Sequence, residues 1–179
     1  GRGAVLFYTW NKAKDIDLAL KAVFDSELCG MPVIVLDNGS TDNTAAVLKS
    51  RQEKVGVERM RIVSLPINVG APAARNWLAA LPEVRDCDWF AYLDDDAMVP
   101  PDWLLRLGAA MQAYPGAGVY GCKVVDAQSP ILIQSADLHL NAGGTELDAN
   151  SEVNRNFQVS SLQIQDFDYG QFNYIRPTL

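Results

Sequence analysis

The sequence predicts an α/β domain with a mostly parallel β-sheet flanked by helices. Short apolar runs, typical of strands buried on both faces, alternate with longer stretches of helical periodicity. This alternation is typical of βαβ units, whose strands are parallel. Hydrophobic residues make up 49% and charged residues 21% of the 179 residues, a balance that indicates a folded core rather than a disordered chain.

The first predicted elements are a strand at residues 4–9 and a helix at residues 13–28. The strand is a continuous apolar run, and the helix carries apolar side chains at mainly helical spacing. Pro32 separates this helix from a second buried strand at residues 33–36, which ends at Asp37.

The next elements continue the same pattern. Residues 40–43 are N-cap candidates for a second helix, which has apolar residues at 45–48. A strand at residues 60–65, a helix at residues 71–81 and a strand at residues 89–93 follow.

The pattern changes after the fourth strand. Residues 101–114 predict a helix, residues 118–125 predict a strand, and residues 131–133 are a candidate for another strand. Residues 141–156 are rich in Gly, Asn and Asp and predict a long loop. The aromatic-rich tail at residues 166–179 shows no clear element.

Composition argues against several classes of function. The net charge of −7 disfavours a nucleic-acid partner, because a phosphate backbone requires a basic surface. The three cysteines, Cys29, Cys87 and Cys122, form no CxxC pair and are expected to be buried, reduced thiols. The single histidine, His139, provides no zinc site, and we expect it to be structural or solvent-facing. No apolar run approaches the roughly 20 residues of a transmembrane helix.

Polar residues follow the predicted strands. In an open parallel sheet, ligands bind beyond the carboxyl ends of the strands, so these residues are expected to meet at one edge. In chain order they are Thr9, Trp10, Asn11, Asp37, Asn68, Gly70, Asp94, Asp95 and Asp96.

The aspartate triplet is the strongest single feature. Three adjacent carboxylates repel one another, and a hard divalent cation with oxygen ligands removes that repulsion. A buried strand leads directly into Asp94, Asp95 and Asp96. We therefore interpret the triplet as a Mg²⁺ or Mn²⁺ site rather than a solvated acidic turn.

Two other segments have competing interpretations. Residues 38–42 suit a turn and a helix cap, which leaves Asp37 available to a ligand. Arg75 lies one turn into a predicted helix whose N-terminus favours anions. It either faces a phosphate or is an ordinary surface arginine.

Four segments together resemble the family 2 glycosyltransferases of GT-A fold, a Rossmann-like architecture. The resemblance covers about residues 4–125, in the family's order and spacing. One departure is Phe7-Tyr8 before Thr9, where the family more often has a proline. The segments are Thr9-Trp10-Asn11, residues 37–42, Asn68-Val69-Gly70 with Arg75-Asn76, and Leu93-Asp94-Asp95-Asp96.

The resemblance implies an inverting enzyme of the hexosyltransferase type that transfers a sugar from a nucleoside diphosphate, most often UDP, with Mn²⁺ or Mg²⁺ as cofactor. Trp10 would lie near the base, and Asp37 would accept a hydrogen bond from it. Asp95 would contact the ribose, and Asp96, the last residue of the D-x-D motif, would hold the metal. The remaining donor-site residues implied by the family are Thr9, Asn11, Asn68, Gly70, Arg75 (near the base or diphosphate) and Asp94 (supporting the loop or sharing in binding).

On this resemblance, residues 1–179 form a single domain, with the donor-binding core at residues 1–125. Residues 126–179 would start an incomplete acceptor-side region. The catalytic base, usually Asp or Glu, is expected outside the chain, because the aromatic context of Asp166 and Asp168 does not match the family motif. The missing initiator Met likewise indicates a piece of a longer protein. The acceptor would be a carbohydrate or a lipid-linked molecule, and the location cytoplasmic or peripheral to the membrane.

Two other classes of protein match less of the sequence. A sugar-phosphate nucleotidyltransferase would carry a Gly-rich loop after the first strand, and residues 9–12 contain no glycine. A receiver-type signalling domain would use strand-end aspartates for Mg²⁺, but it is shorter and would not need the predicted loop at residues 141–156.

Overall fold

Four parallel strands form the central sheet of the computed structural model. The structure describes residues 1–122 and 124–125 and, beyond them, the strand residues 133–135, 139–140, 146–147 and 172–174. The predicted α/β class with a parallel sheet flanked by helices is confirmed. The sheet has the order β3-β2-β1-β4, with β1 at Gly3–Thr9, β2 at Val33–Asp37, β3 at Met60–Ser64 and β4 at Trp89–Leu93.

Helices connect these strands, as predicted. The first helix ends earlier than the periodicity suggests, because Ser26 is extended and its hydroxyl donates to the Val23 carbonyl oxygen. A short helix at Pro82–Arg85 is an addition to the predicted elements. The helices are α1 at Ala13–Asp25, α2 at Thr44–Val55, α3 at Ala71–Ala80 and α4 at Pro82–Arg85.

The core lies on both faces of β1 and β2. On one face, Leu6 of β1 and Leu36 of β2 pack with Ala74 and Leu78 of α3. Neighbouring side chains of a strand point to opposite faces, so Phe7, which is also fully buried, lies on the other face. Burial on both faces fixes β1 and thereby the position of the polar residues that follow it.

The chain divides into two compact units, Gly1–Pro101 and Asp102–Leu179. The predicted single domain, with a core ending at residue 125, stays a prediction. The part of the second unit that the structure describes contains α5 at Trp103–Ala113 and six short strands, β5 at Tyr120–Cys122, β6 at Val124–Val125, β7 at Ile133–Ser135, β8 at His139–Leu140, β9 at Glu146–Leu147 and β10 at Phe172–Tyr174. They pair antiparallel as β5 with β10, β6 with β7, and β8 with β9.

Several predictions for the second unit need correction. The strand predicted at residues 118–125 is two short strands, β5 and β6. The predicted loop at residues 141–156 contains β9, and the tail predicted to lack an element contains β10. β9 pairs with the nearby β8 and β10 with the distant β5, and local periodicity does not reveal such pairing in strands this short. Residues 131–132, Asp166, Asp168 and the side chain of His139 lie outside the described residues.

The cysteines differ from their predicted burial. None of Cys29, Cys87 and Cys122 forms a disulfide, but the prediction that they are buried is wrong. Cys29 and Cys122 are exposed and Cys87 is half-buried, because Cys29 and Cys87 lie in connections and Cys122 ends a short strand.

Among the helices that the structure describes, none is both long and apolar enough to cross a membrane.

Candidate functional site

The candidate site lies at the carboxyl edge of the parallel sheet. The chain builds β1, β2 and β3 outward and then returns to add β4 on the other side of β1. The connections after β1 and β4 therefore diverge, and this point of a parallel sheet is where ligands bind. Across it, the Thr9 hydroxyl donates to Asp95 Oδ2 at 2.8 Å. The expectation that residues after the first and fourth strands meet is confirmed.

Lys12 joins this contact, although it was not among the predicted site residues. Its Nζ donates to Asp96 Oδ2 at 2.6 Å and lies 3.2 Å from Asp95 Oδ1. The hydrogen bond to Asp96 raises the pKa of the Lys12 ammonium above its usual range, against the lowering effect of partial burial, and Asp95 raises it further. Lys12 follows Asn11 at the same strand end, so its position in the sequence could have indicated it.

Two of the three aspartates therefore converge on the Lys12 ammonium. Asp95 and Asp96 meet at the ammonium, whereas Asp94 Oδ1 pairs with Arg75 at 3.2 Å. No group of three His, Cys, Asp or Glu side chains in the described residues is arranged to hold a metal by itself. The carboxylate pair fits a Mg²⁺ or Mn²⁺ ion, which takes one or two protein carboxylates and completes its shell with water and substrate phosphates.

Arg75 contacts two tyrosine rings. Its guanidinium carbon lies 5.0 Å from the centre of the Tyr8 ring and 5.9 Å from that of Tyr92. The Tyr92 hydroxyl donates to the Arg75 carbonyl oxygen at 2.7 Å, and burial raises the pKa of this phenol although the Arg75 charge opposes it. Cation–π contacts and the ion pair with Asp94 restrict the guanidinium. Arg75 is therefore a positioned cation, and its predicted contact with a phosphate stays a prediction.

The loop after β2 is organised by Asp37 and Asn11. Asp37 is buried, and its Oδ1 accepts the Ser40 N–H at 3.0 Å. The Asn11 N–H donates to Ser40 Oγ at 3.0 Å, and Asn11 Oδ1 accepts the Thr41 N–H at 2.7 Å. Asn11, which has φ of 52°, thus ties the loop after β1 to the loop after β2. Its predicted contact with a nucleotide stays a prediction.

The prediction that residues 40–43 cap α2 is correct only in part. Asn43 occupies the N-cap position without a side-chain capping bond. Instead, Asp42 Oδ1 accepts the Thr44 N–H at 2.9 Å. Ser40 bonds to Asp37 and Asn11, and Thr41 bonds to Asn11, so these two residues hold the loops at the site edge rather than cap the helix.

Asn38 holds the loop that precedes α3. It is 1% exposed, and its Nδ2 donates to Asn68 Oδ1 at 3.0 Å. Its Oδ1 accepts the Val69 N–H at 3.0 Å, and Asn68 Oδ1 also accepts the Gly70 N–H at 2.8 Å. The predicted site residues Asn68 and Gly70 are therefore positioned by Asn38, which directly follows β2.

At the same edge of the sheet, Trp10 follows β1 with a 48% exposed side chain.

Replacing Asn38 by alanine is expected to destabilise the protein by about 2 kcal/mol, because the two hydrogen bonds from its buried side chain to Asn68 and Val69 are lost. Urea denaturation monitored by circular dichroism measures this change. Asn43→Ala is the matched control, since Asn43 is exposed and makes no capping bond. Equal losses in the two variants would contradict the role of Asn38 as a clamp.

The fold and the site together define a class of protein. An open parallel α/β sheet that gathers carboxylates and cationic side chains where the strand order reverses is typical of domains that bind small phosphorylated ligands. The sequence profile of Glycosyl transferase family 2 matches residues 4–171. The chain belongs to this family, so the resemblance predicted from the four segments is confirmed, and the nucleotidyltransferase and receiver interpretations are set aside.

Solved structures show the same fold at low sequence identity. The mannosyltransferase PcManGT from Pyrobaculum calidifontis, in complex with GDP-Man and Mn²⁺, is 21% identical with a TM-score of 0.58, over 71% of this chain and 36% of its own. Residues 1–349 of S. aureus TarS, in complex with UDP-GlcNAc, are 20% identical with a TM-score of 0.56, over 69% of this chain and 34% of theirs.

A third structure extends the comparison. Glucosyl-3-phosphoglycerate synthase from Mycobacterium tuberculosis, in complex with UDP, is 21% identical with a TM-score of 0.50, over 70% of this chain and 45% of its own. The match thus spans less than half of each of these three structures. The predicted GT-A fold is supported by these likenesses. No curated protein matches the sequence.

Proposed function

We propose that this chain is the donor-binding part of an inverting glycosyltransferase that binds a nucleoside-diphosphate sugar through a divalent cation. The observation that carries the proposal is the meeting of Thr9, Lys12, Asp95 and Asp96 across the point where the strand order reverses. This position is the one at which parallel α/β sheets bind ligands.

The carboxylate pair would hold Mn²⁺ or Mg²⁺, with Asp96 as the principal ligand. Such an ion supplies Lewis-acid stabilisation to a diphosphate leaving group. Thr9 keeps Asp95 in place, so that this carboxylate can also accept a ribose hydroxyl. Asp94 fixes the guanidinium of Arg75, which would lie near the base or the diphosphate.

The base of the nucleotide would lie against Trp10, whose ring is half-exposed. One carboxylate oxygen of Asp37 accepts the Ser40 N–H. Its second oxygen would accept a hydrogen bond from the base. Asn11, Asn68 and Gly70 would shape the pocket through the loop contacts described above. UDP is the nucleotide we propose, and the complexes of TarS with UDP-GlcNAc and of the M. tuberculosis synthase with UDP support it.

The acceptor and the catalytic base are proposed from the chemistry of the reaction and from the family resemblance. An acceptor hydroxyl requires a base, and none of the described residues at this edge is assigned that role. We place the base outside the described residues and propose a carbohydrate or lipid-linked acceptor. The reaction would take place in the cytoplasm or at the membrane periphery. The net charge of −7 argues against a nucleic acid in either position.

Isothermal titration calorimetry with UDP and GDP, each with and without Mn²⁺, tests the proposal. We expect UDP to bind at least about tenfold more tightly with Mn²⁺ than with a chelator, because the ion joins two groups of like charge. GDP is expected to bind more weakly than UDP. Equal UDP affinity with and without Mn²⁺ would overturn the metal-dependent site.

A further inference from the structure

The Lys12 ammonium contacts both carboxylates that would hold a divalent cation. It is 2.6 Å from an oxygen of Asp96 and 3.2 Å from an oxygen of Asp95. The two carboxylates carry two negative charges, and the ammonium neutralises one of them. A divalent cation would neutralise both, but it would have to enter where the ammonium now lies.

The two sides of this ion-pair cluster differ in freedom. The Asp95 side chain is 13% exposed and is held by the Thr9 hydroxyl, so this carboxylate is fixed. The Lys12 side chain is 40% exposed on a flexible four-carbon stem. Its backbone is anchored separately, because the Lys12 carbonyl oxygen accepts the Ile16 N–H at 3.0 Å at the start of α1. The ammonium can therefore leave while the helix and the carboxylates stay in place.

We propose that Lys12 is an internal counter-ion of the Asp95–Asp96 pair, which a divalent cation must displace, so that Lys12 weakens cation binding to the nucleotide-free protein. This inference rests on the proposed function for the identity of the site as a cation site. It assigns Lys12 a positioning role: the ammonium keeps the carboxylates together before the cation arrives and lowers their affinity for the cation alone.

The test is Mn²⁺ binding without nucleotide, measured from the electron paramagnetic resonance signal of free Mn²⁺. Lys12→Met removes the charge and keeps the length of the side chain, and it should bind Mn²⁺ about tenfold more tightly than the wild type. Lys12→Arg keeps the charge and should stay within about twofold of the wild type.

Lys14→Met is the matched control. Lys14 is an exposed lysine in the first turn of α1, for which Lys12 is the N-cap, and no ion pair joins it to the carboxylate pair, so its replacement changes the net charge by the same amount. Equal Mn²⁺ affinity in Lys12→Met and Lys14→Met, or weaker binding in Lys12→Met, would overturn the inference.

Thermal unfolding with and without Mn²⁺ provides a second measurement. A cation that binds only the folded state raises the unfolding temperature, and at a given concentration the increase is larger when the cation binds more tightly. Saturating Mn²⁺ should therefore raise the melting temperature of Lys12→Met more than that of the wild type or Lys14→Met. Equal increases in all three proteins would count against the counter-ion role.

The outcomes separate this inference from the proposed function. If the wild type binds UDP only with Mn²⁺ but Lys12→Met leaves Mn²⁺ affinity unchanged, the inference alone fails. If Lys12→Met binds Mn²⁺ more tightly but UDP binding is independent of Mn²⁺, the counter-ion role holds and the proposed function fails.

Discussion

Replacing Asp96 by alanine is expected to abolish Mn²⁺-dependent binding of UDP, with a loss of about 100-fold or more in affinity. Of the two carboxylates that contact the Lys12 ammonium, that of Asp96 lies closer, at 2.6 Å. In the variant, Lys12 would pair with Asp95 alone, at 3.2 Å in the present structure. A neutral ion pair offers little attraction to a divalent cation, so the metal and the diphosphate would both lose their anchor.

Calorimetry with UDP and Mn²⁺ measures this loss, and circular dichroism verifies that the variant is folded. Asp25→Ala is the matched control, because Asp25 is an exposed aspartate that also pairs with a lysine, Lys21. Exposed pairs of this kind contribute little to stability. UDP affinity that is unchanged in Asp96→Ala, or reduced equally in Asp25→Ala, would contradict the assignment of Asp96 to the metal.

Replacing Gly39 by alanine is expected to destabilise the protein by about 3 kcal/mol. Gly39 has φ of +73°, a conformation that costs an L-residue roughly 1 kcal/mol. A Cβ at this position would lie 2.5 Å from the Ile67 carbonyl carbon and 2.8 Å from the Asn68 backbone nitrogen. Backbone atoms cannot rotate away as a side chain can, so the loop before α3 would have to move. The hydrogen bond between Asn38 and Asn68 would then be strained.

Gly30→Ala separates the two causes of that destabilisation. Gly30 has φ of +78°, and a Cβ there would meet nothing within 4 Å. Gly30→Ala should therefore lower the free energy of unfolding by only about 1 kcal/mol, which is the conformational part of the effect. Urea denaturation of both variants measures the difference. Similar losses in the two variants would show that the close approach of the loops does not hold the site edge together.

Gly39→Ala should also affect the site beyond its stability. The loop that moves carries Asn68 and leads into α3, which positions Arg75 beside Asp94. UDP affinity measured at a temperature where both glycine variants are folded should fall in Gly39→Ala and stay unchanged in Gly30→Ala. The contact between Gly39 and Ile67 is thus expected to be part of the architecture of the site.

The predictable part of the fold follows from how parallel strands are buried. β1 and β2 are buried on both faces apart from the partly exposed Tyr8, so each appears in the sequence as a continuous apolar run that ends at a polar residue. The strand ends, Thr9, Asp37 and the aspartate triplet, could therefore be located from local pattern. The region of β5 and β6 was predicted as one strand without its division, and β8 to β10 were not predicted, because a strand of two or three residues has no periodicity of its own.

The sequence by itself determined the parallel α/β class, the family and the polar residues that follow each strand, because these depend on local runs and spacing. Only the tertiary structure decided the partners of those residues. Asp94 pairs with Arg75 while Asp95 and Asp96 share Lys12, and Asn11 and Asn38 bind neighbouring loops. The physical reason is the strand order β3-β2-β1-β4, which brings together residues far apart in the chain. Hydrogen bonds and ion pairs act over a few ångströms in space, and separation along the sequence does not encode that distance.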